Sequence, residues 1–192
     1  MSETNDNPIS TVISHVLAPV GLGEQQLGKT LASMMRGGVD YADLYFQISR
    51  SESWAVEDRI VREGNFSLDQ GVGVRAVSGE KTGLAYSDEL MLPALEKAAG
   101  AARAIARQGG RGAVEAWKRH RSAPLYPLTD PTTSASDVRK TALLQELDRE
   151  TRKLDDRVTQ VMISLASSQD LVLVAASDGR SEEHTSELQS QR

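Results

Sequence analysis

Residues 41–88 read YADLYFQISRSESWAVEDRIVREGNFSLDQGVGVRAVSGEKTGLAYSD, and their periodicity decides the fold. Over Tyr41 to Ser49, Leu44, Phe46 and Ile48 share one face, while Asp43, Tyr45 and Gln47 share the other. That period of two is the mark of a half-buried strand. Glu52 to Val61, with Trp54, Val56 and Ile60 apolar, reads as its antiparallel partner, and Phe66 to Leu68 as the start of a third strand. Gly71 to Val77 places Val72, Val74 and Ala76 on one face. Ser78-Gly79-Glu80-Lys81 is a tight turn, and Thr82 to Tyr86 returns from it. Four or five strands joined by short turns predict an antiparallel meander.

On the N-terminal side the period is helical. Ile9 to Val20 carries Val12, Ile13, Val16 and Leu17 on one side, and Glu24 to Met35 carries Leu27, Leu31 and Met34 or Met35. Gly37-Gly38 stops the second helix. Together they predict a helical hairpin on the surface. On the C-terminal side, Asp88 to Arg107 predicts a helix with a narrow stripe of Leu95, Ala98, Ala99, Ala102, Ile105 and Ala106. Such small side chains let a helix lie close to a sheet. Asp88 or Pro93 marks its start.

Residues 111–133, with Pro124, Pro127 and Pro131, form a long connection. Ser134 or Ser136 opens a further helix to about Asp156, with Leu143, Leu147, Leu154 and then Val158 inward. Val158 to Ala166 and Leu171 to Ala176 read as a hairpin turning at Ser168-Gln169-Asp170. The class is α+β: a mainly antiparallel β-sheet packed with α-helices, in one domain over residues 1–179.

Composition narrows the functions. Apolar residues make up 39% of the 192 and aromatics 4%, so the core must be aliphatic. The net charge of −5 without a basic stripe disfavours nucleic acid as a partner. The absence of cysteine excludes disulfides, thiol nucleophiles and thiolate metal sites. No apolar run is long enough to span a membrane, and no secretory leader is visible, so the expected location is cytoplasmic. Residues 180–192, including RSEEHTSELQS, are polar and aperiodic. They resemble a translated sequencing adapter and are expected to be a disordered, non-native read-through, with the natural frame lost near Gly179.

Several short motifs suggest chemistry without its context. Gly71-Val72-Gly73-Val74-Arg75-Ala76 matches G-x-G-x-x-A, but a turn and a strand follow it where a dinucleotide site needs a helix. The two glycines are expected to bare a strand face so that something packs close. Ser78 to Gly83 echoes a phosphate loop but lacks the G-K-[ST] step. Glu57 and Asp58 are adjacent on a strand and point apart, so they do not form a catalytic pair; with Asp69 they read as edge charges. His15, His120 and His184 have no H-x-x-x-H or H-E-x-x-H partner.

The strings DYADLYFQ (40–47), ESW (52–54), EDRIV (57–61) and LDQGVGVRAVSGEKTGLAYSD (68–88) resemble the N-terminal region of the TldD/PmbA family of bacterial metallopeptidases. ALEKAA (94–99), PLYP (124–127) and LVLVAASDG (171–179) extend the likeness, and LDQGVGVR with SGEKTG points to the TldD branch. The resemblance implies a cytosolic zinc-dependent peptidase that pairs with a TldE/PmbA-like sister subunit and cleaves peptides or unfolded segments in an enclosed chamber. In the family, a C-terminal H-E-x-x-x-H helix holds the zinc, and its glutamate activates water.

This chain contains no H-E-x-x-x-H. No catalytic or metal residue therefore carries over, and the chain is expected to bind no zinc, to be inactive alone and to aggregate through an open sheet edge. Arg75, Glu80 and Lys81 are the residues expected to face the chamber or a partner. The competing reading is a non-catalytic binding or interaction module.

Overall fold

The computed structural model describes residues 13–106 and 130–179, apart from the side chain of His15, and the backbone of 181–187. Two short helical turns, Ile13–Leu17 and Ala18–Val20, precede helix α1 (Glu24–Met34). Strands β1 (Tyr41–Glu57), β2 (Ile60–Ser78) and β3 (Lys81–Ser87) follow, then α2 (Leu92–Ala106), α3 (Asp137–Leu154), β4 (Met162–Ala176) and β5 (Ser181–Glu187). The sheet order is β3-β2-β1-β4-β5. The α+β class and the β1-β2-β3 meander are as the periodicity predicts.

The strands differ from expectation in length. Tyr41 to Glu57 is one strand, not two, and Ile60 to Ser78 joins what reads as three pieces. The hairpin expected at Ser168-Gln169-Asp170 is absent: Met162–Ala176 runs straight through. The polar runs that imitate turns are paired with one another. Ala42 meets Ser177, Ser49 hydrogen-bonds Asp170, and Ser167 donates to Glu52 over 2.6 Å. Each step along β1 is matched by an equal step back along β4, which is antiparallel pairing. Between β1 and β2, Asp43 meets Arg75, Ser51 meets Ser67 and Trp54 lies over Gly64, again antiparallel.

The real turn between β1 and β2 is Asp58-Arg59, both at positive φ (47° and 70°). Two successive left-handed residues make a type I′ hairpin, which normally carries Asn-Gly or Asp-Gly. An arginine at the second position hides that signal in the sequence. The β2–β3 turn is the expected Gly79-Glu80, with φ +56° at Gly79 and negative φ at Glu80, the II′ form.

The span expected as one domain divides into two compact units. Among the described residues, the first comprises 13–48, 70–106 and 171–185, and the second 49–69, 130–170 and 186–187. The first holds an aliphatic core of Leu27, Leu31, Met34, Leu44, Leu95 and Leu173, with Phe46 its sole aromatic. Both Met34 and Met35 are buried, and α1 belongs to this core instead of lying on the surface. Each such side chain contributes roughly 1.5–3 kcal/mol on full burial. Gly37 and Gly38, at φ 84° and 95°, end α1 and turn the chain into β1. The Asp40 side chain accepts from Gly79 N over 2.7 Å, and Ser78 Oγ donates to Gly38 O over 2.6 Å, tying this turn to the β2–β3 hairpin.

Helix α2 buries Leu95, Ala98, Ala99, Ala102 and Ala106 as predicted, but Ile105 is 59% exposed and lies off the stripe. Helix α3 departs further. Ser136 caps it, accepting from Arg139 N over 3.3 Å. Its buried residues are Lys140, Leu144 and Asp148, whereas Leu143, Leu147 and Leu154 are exposed. Lys140 and Asp148 can face inward because both are paired, as described below. The backbone of 181–187, expected to be disordered, pairs as edge strand β5. Strand addition uses main-chain groups of an edge, so a polar sequence can supply it.

Candidate functional site

The outward face of the first unit's sheet places Tyr45 beside Gly73 and Tyr86 over Gly71. The Tyr86 ring thus packs closely on Gly71, where an added Cβ would stand 2.5 Å from its hydroxyl, whereas a Cβ at Gly73 would meet only Tyr45 Cβ and O at 3.9 Å. A cavity of about 430 Å3 opens here, lined by Asp43, Tyr45, Gly73, Arg75, Leu84 and Tyr86. Arg75 donates from Nε to Asp43 Oδ2 over 2.9 Å and a second time from Nη2, and its guanidinium lies 5.6 Å from the Tyr41 ring centroid. The hydrogen bonds and charge of Asp43 push the Arg75 pKa up. Burial, then the charges of Asp43 and Asp178, raise that of Tyr41.

Arg75, Glu80 and Lys81 do not converge. Arg75 stands opposite Leu84 and Lys81 opposite Ser78. Three ladder steps, about 10 Å, separate them, and an odd step count puts them on opposite faces. Glu80 sits in the turn and is exposed. Residues 71–76 lie inside β2, and Gly79-Glu80 is a hairpin turn, so neither glycine motif joins a strand to a helix.

The second unit holds a buried polar network that no motif announces. Lys140 Nζ contacts Glu52 Oε2 at 2.7 Å and donates to Thr132 O at 2.6 Å. Ser167 Oγ and Trp54 Nε1 donate to the same carboxylate, at 2.6 and 3.3 Å. Side-chain exposure is 5% for Lys140 and 6% for Glu52. Burial opposes ionisation of Glu52, but hydrogen bonds from Lys140, Ser167 and Trp54, with the lysine charge, outweigh it and hold the carboxyl below its ordinary value.

A second cluster fixes the β1–β2 turn. Fully buried Asp148 meets Arg152 Nε at 3.0 Å and Arg59 Nε at 3.6 Å, and Arg152 also bonds Asp58. Asp58 further accepts from Val161 N over 3.2 Å; that bond and the one from Arg152 lower its pKa. Asp58 is therefore a turn residue with a structural task, not an edge charge. Asp58→Ala is expected to lower the melting temperature more than Asp58→Asn, since Asn tolerates positive φ and keeps an acceptor. Equal losses in thermal scans would contradict this account of the turn.

Two family profiles match the chain: PmbA/TldA metallopeptidase domain 1 over residues 42–106, and PmbA/TldA metallopeptidase central domain over residues 130–190. The boundaries bracket 107–129, and the second match extends into the segment whose composition looked foreign. A Haemophilus influenzae protein named Metalloprotease TldD homolog is 42% identical over 173 residues, 89% of this chain and 36% of its own length. A Buchnera aphidicola protein of the same name is 37% identical over 158 residues, 82% of this chain and 33% of its own. The chain belongs to the TldD/PmbA metallopeptidase family. It spans about a third of the length of these relatives.

Solved structures share the fold. A Thermotoga maritima protein, described as a proposed modulator of a DNA gyrase, matches with a TM-score of 0.66 at 17% identity, over 85% of this chain and 37% of that one. TldE from Thermococcus kodakarensis matches with a TM-score of 0.60 at 17% identity, over 83% and 36%.

The family name implies a metal ion, and the described residues do not fit one. Among them no group of three or more His, Asp or Glu side chains is placed to hold an ion. The inward carboxylates are committed to cations: Asp43 to Arg75, Glu52 to Lys140, and Asp148 to Arg152 and Arg59. His120 lies outside the described residues, and His15 and His184 are described by backbone alone. Among the described residues no helix is long and apolar enough to cross a membrane.

Proposed function

We propose that this chain is the N-terminal part of a zinc-dependent TldD-type metallopeptidase, which cleaves peptides or unfolded segments in the cytoplasm with a TldE/PmbA-like sister subunit. The 42% identity to a protein named as a metalloprotease, across nearly the whole chain, carries this reading. The zinc would be held by an H-E-x-x-x-H segment beyond the residues matched here, and the 192 residues alone would be inactive. Their part is to shape a chamber or partner surface; of the three residues proposed to face it, Arg75, Glu80 and Lys81, Arg75 lies on the opposite sheet face from Lys81, so they would not meet one ligand together. The exposed cavity beside Arg75 supports that role.

The test is to express the 192-residue chain, and separately the open reading frame extended past codon 179 with its sister gene, and to follow cleavage of an unstructured peptide with and without zinc. Activity is expected only from the extended pair. Zinc-dependent cleavage by the short chain would sink the proposal, as would a downstream sequence lacking the histidine motif. A non-catalytic module is the second reading, favoured by the neutralised state of the inward carboxylates; a stop codon directly after the matched region would select it.

A further inference from the structure

Helix α3 carries its leucines away from its buried face. Lys140, Leu144 and Asp148 are buried, whereas Leu143 is 41%, Leu147 45% and Leu154 83% exposed. At 3.6 residues per turn the three exposed leucines fall within about 40° of one another, and Gln145 and Arg152 fall on the opposite flank. That opposite flank reaches the β1–β2 turn, through Arg59 O and Asp58. The sheet order places β2 and β4 on opposite sides of β1, so the leucines look toward β4.

Strand β4 continues the apolar surface. Ser167 points to the α3 side of the sheet, since it donates to the Glu52 carboxylate that Lys140 meets. Alternation gives Leu165 and Ile163 the same side, and both are only half-buried. Strand β5 does not reach them. It has seven residues to the fifteen of β4, and it begins after a short turn at the other end of that strand. The first half of β4 therefore has β1 on one side and, among the described residues, no strand on the other.

We propose that this leucine shelf is covered by the polypeptide that follows residue 179 in the longer reading frame, which lays an aliphatic face against Leu143, Leu147, Leu154 and the neighbouring Ile163 and Leu165. The inference rests on the reading that the frame continues as in the TldD relatives. Those relatives are about three times as long as the stretch they share with this chain. The shelf also belongs to the family's central domain, whose match begins at residue 130.

Position and tethering select this occupant. The shelf and the unpaired half of β4 lie toward the same margin of the sheet, the one at which β5 leaves β4. The chain that follows reaches both without crossing the sheet, as short connections do. A tethered segment is present at an effective concentration on the order of millimolar, which a free partner must match.

The experiment measures protection, not cleavage. The chain has no cysteine, so Leu147→Cys gives the 192-residue protein a single thiol. Its rate of reaction with a maleimide is followed by mass spectrometry of the peptide that carries it, in that protein and in the chain extended past codon 179. The extended chain should react at least about tenfold more slowly, as expected of a site that opens only locally. Leu154→Cys repeats the measurement at a site so exposed in the short chain that its folding does not depend on it. Val138→Cys, 78% exposed and about half a turn from the leucines, is the control and should react alike in both proteins. Equal rates at the leucine sites in the two proteins would overturn the proposal. So would slowing of all three sites alike. Slowing that requires the sister subunit, or that grows with the concentration of the short chain, would give the shelf to another occupant and overturn it as well. An extended pair that cleaves peptide while these thiols stay open defeats this inference alone; protected thiols without cleavage defeat only the peptidase reading.

Discussion

Replacing Gly83 by alanine is expected to destabilise the chain by about 3 kcal/mol or more, the upper end of the overpacking range. A Cβ built at Gly83 would stand 2.0 Å from Ala102 O, 2.9 Å from Ala102 C and 3.1 Å from Ala106 N. These are main-chain atoms of α2, so no side chain can swing aside; the helix must lift from β3. Lifting it would open the seam that buries Leu95, Ala98, Ala99, Ala102 and Ala106. The backbone angle at Gly83 is not left-handed, so the cost is steric alone. The same substitution elsewhere should have the opposite sign. Gly28 in α1 and Gly100 in α2 have nothing within 4 Å of an added Cβ. There alanine should stabilise by about 0.5–1 kcal/mol through helix propensity and a less flexible unfolded chain. Urea unfolding of the three variants checks the set. A Gly83→Ala protein as stable as the parent would mean that α2 does not approach β3 this closely.

The contrast shows which parts of this fold a sequence can display. The stripe of α2 was legible because the alanines recur at helical spacing. The role of Gly83 was not: the alternation places it in the returning strand Thr82 to Tyr86, and only its contact with Ala102 shows why that strand position is a glycine. Strand existence in 41–88 was legible from alternation, but strand ends were not. The sequence marks a turn by polar residues, and SRSES in β1 and SSQD in β4 satisfy that rule while pairing in mid-sheet. The true turn carries Asp-Arg, whose left-handed angles are held by Val161, Arg152 and Gln145 rather than favoured by glycine.

Of the functional readings, the family was legible because its strings are long, whereas side-chain placement was not. Arg75 could be named as a candidate, but its pairing with Asp43 needs the β1–β2 register, which follows from where the hidden turn falls. Helix α3 is the clearest failure of periodicity. Leucines 143, 147 and 154 suggest an inward stripe, yet the inward residues include a lysine and an aspartate. Hydropathy treats charge as a marker of the surface; a buried charge becomes tolerable only when its counter-charge arrives from a distant strand, and that counter-charge lies 88 residues away in the case of Lys140.

Lys140→Met is accordingly expected to cost about 3–5 kcal/mol, as when one partner of a buried ion pair is removed. Methionine fills much of the lysine volume, so the loss comes from leaving the Glu52 carboxylate buried without its cation. Replacing both partners, as in Glu52→Leu with Lys140→Met, should recover most of it, because the desolvation cost then vanishes with the charges. The pH dependence separates this account from simple packing. In the parent chain Glu52 has a folded pKa below its ordinary 4.5. The unfolded state then binds more protons in that window, so its contribution is complete above about pH 4.5 and fades as pH falls through the folded value. Without Lys140, burial dominates and the folded pKa should rise above 4.5, so the folded state binds the extra proton and stability falls as pH climbs. The variant-minus-parent difference in unfolding free energy, measured by urea titration from pH 3 to 7, should widen with rising pH. A difference that stays flat would show that Glu52 is solvated in the folded chain and that the pair holds α3 by packing alone.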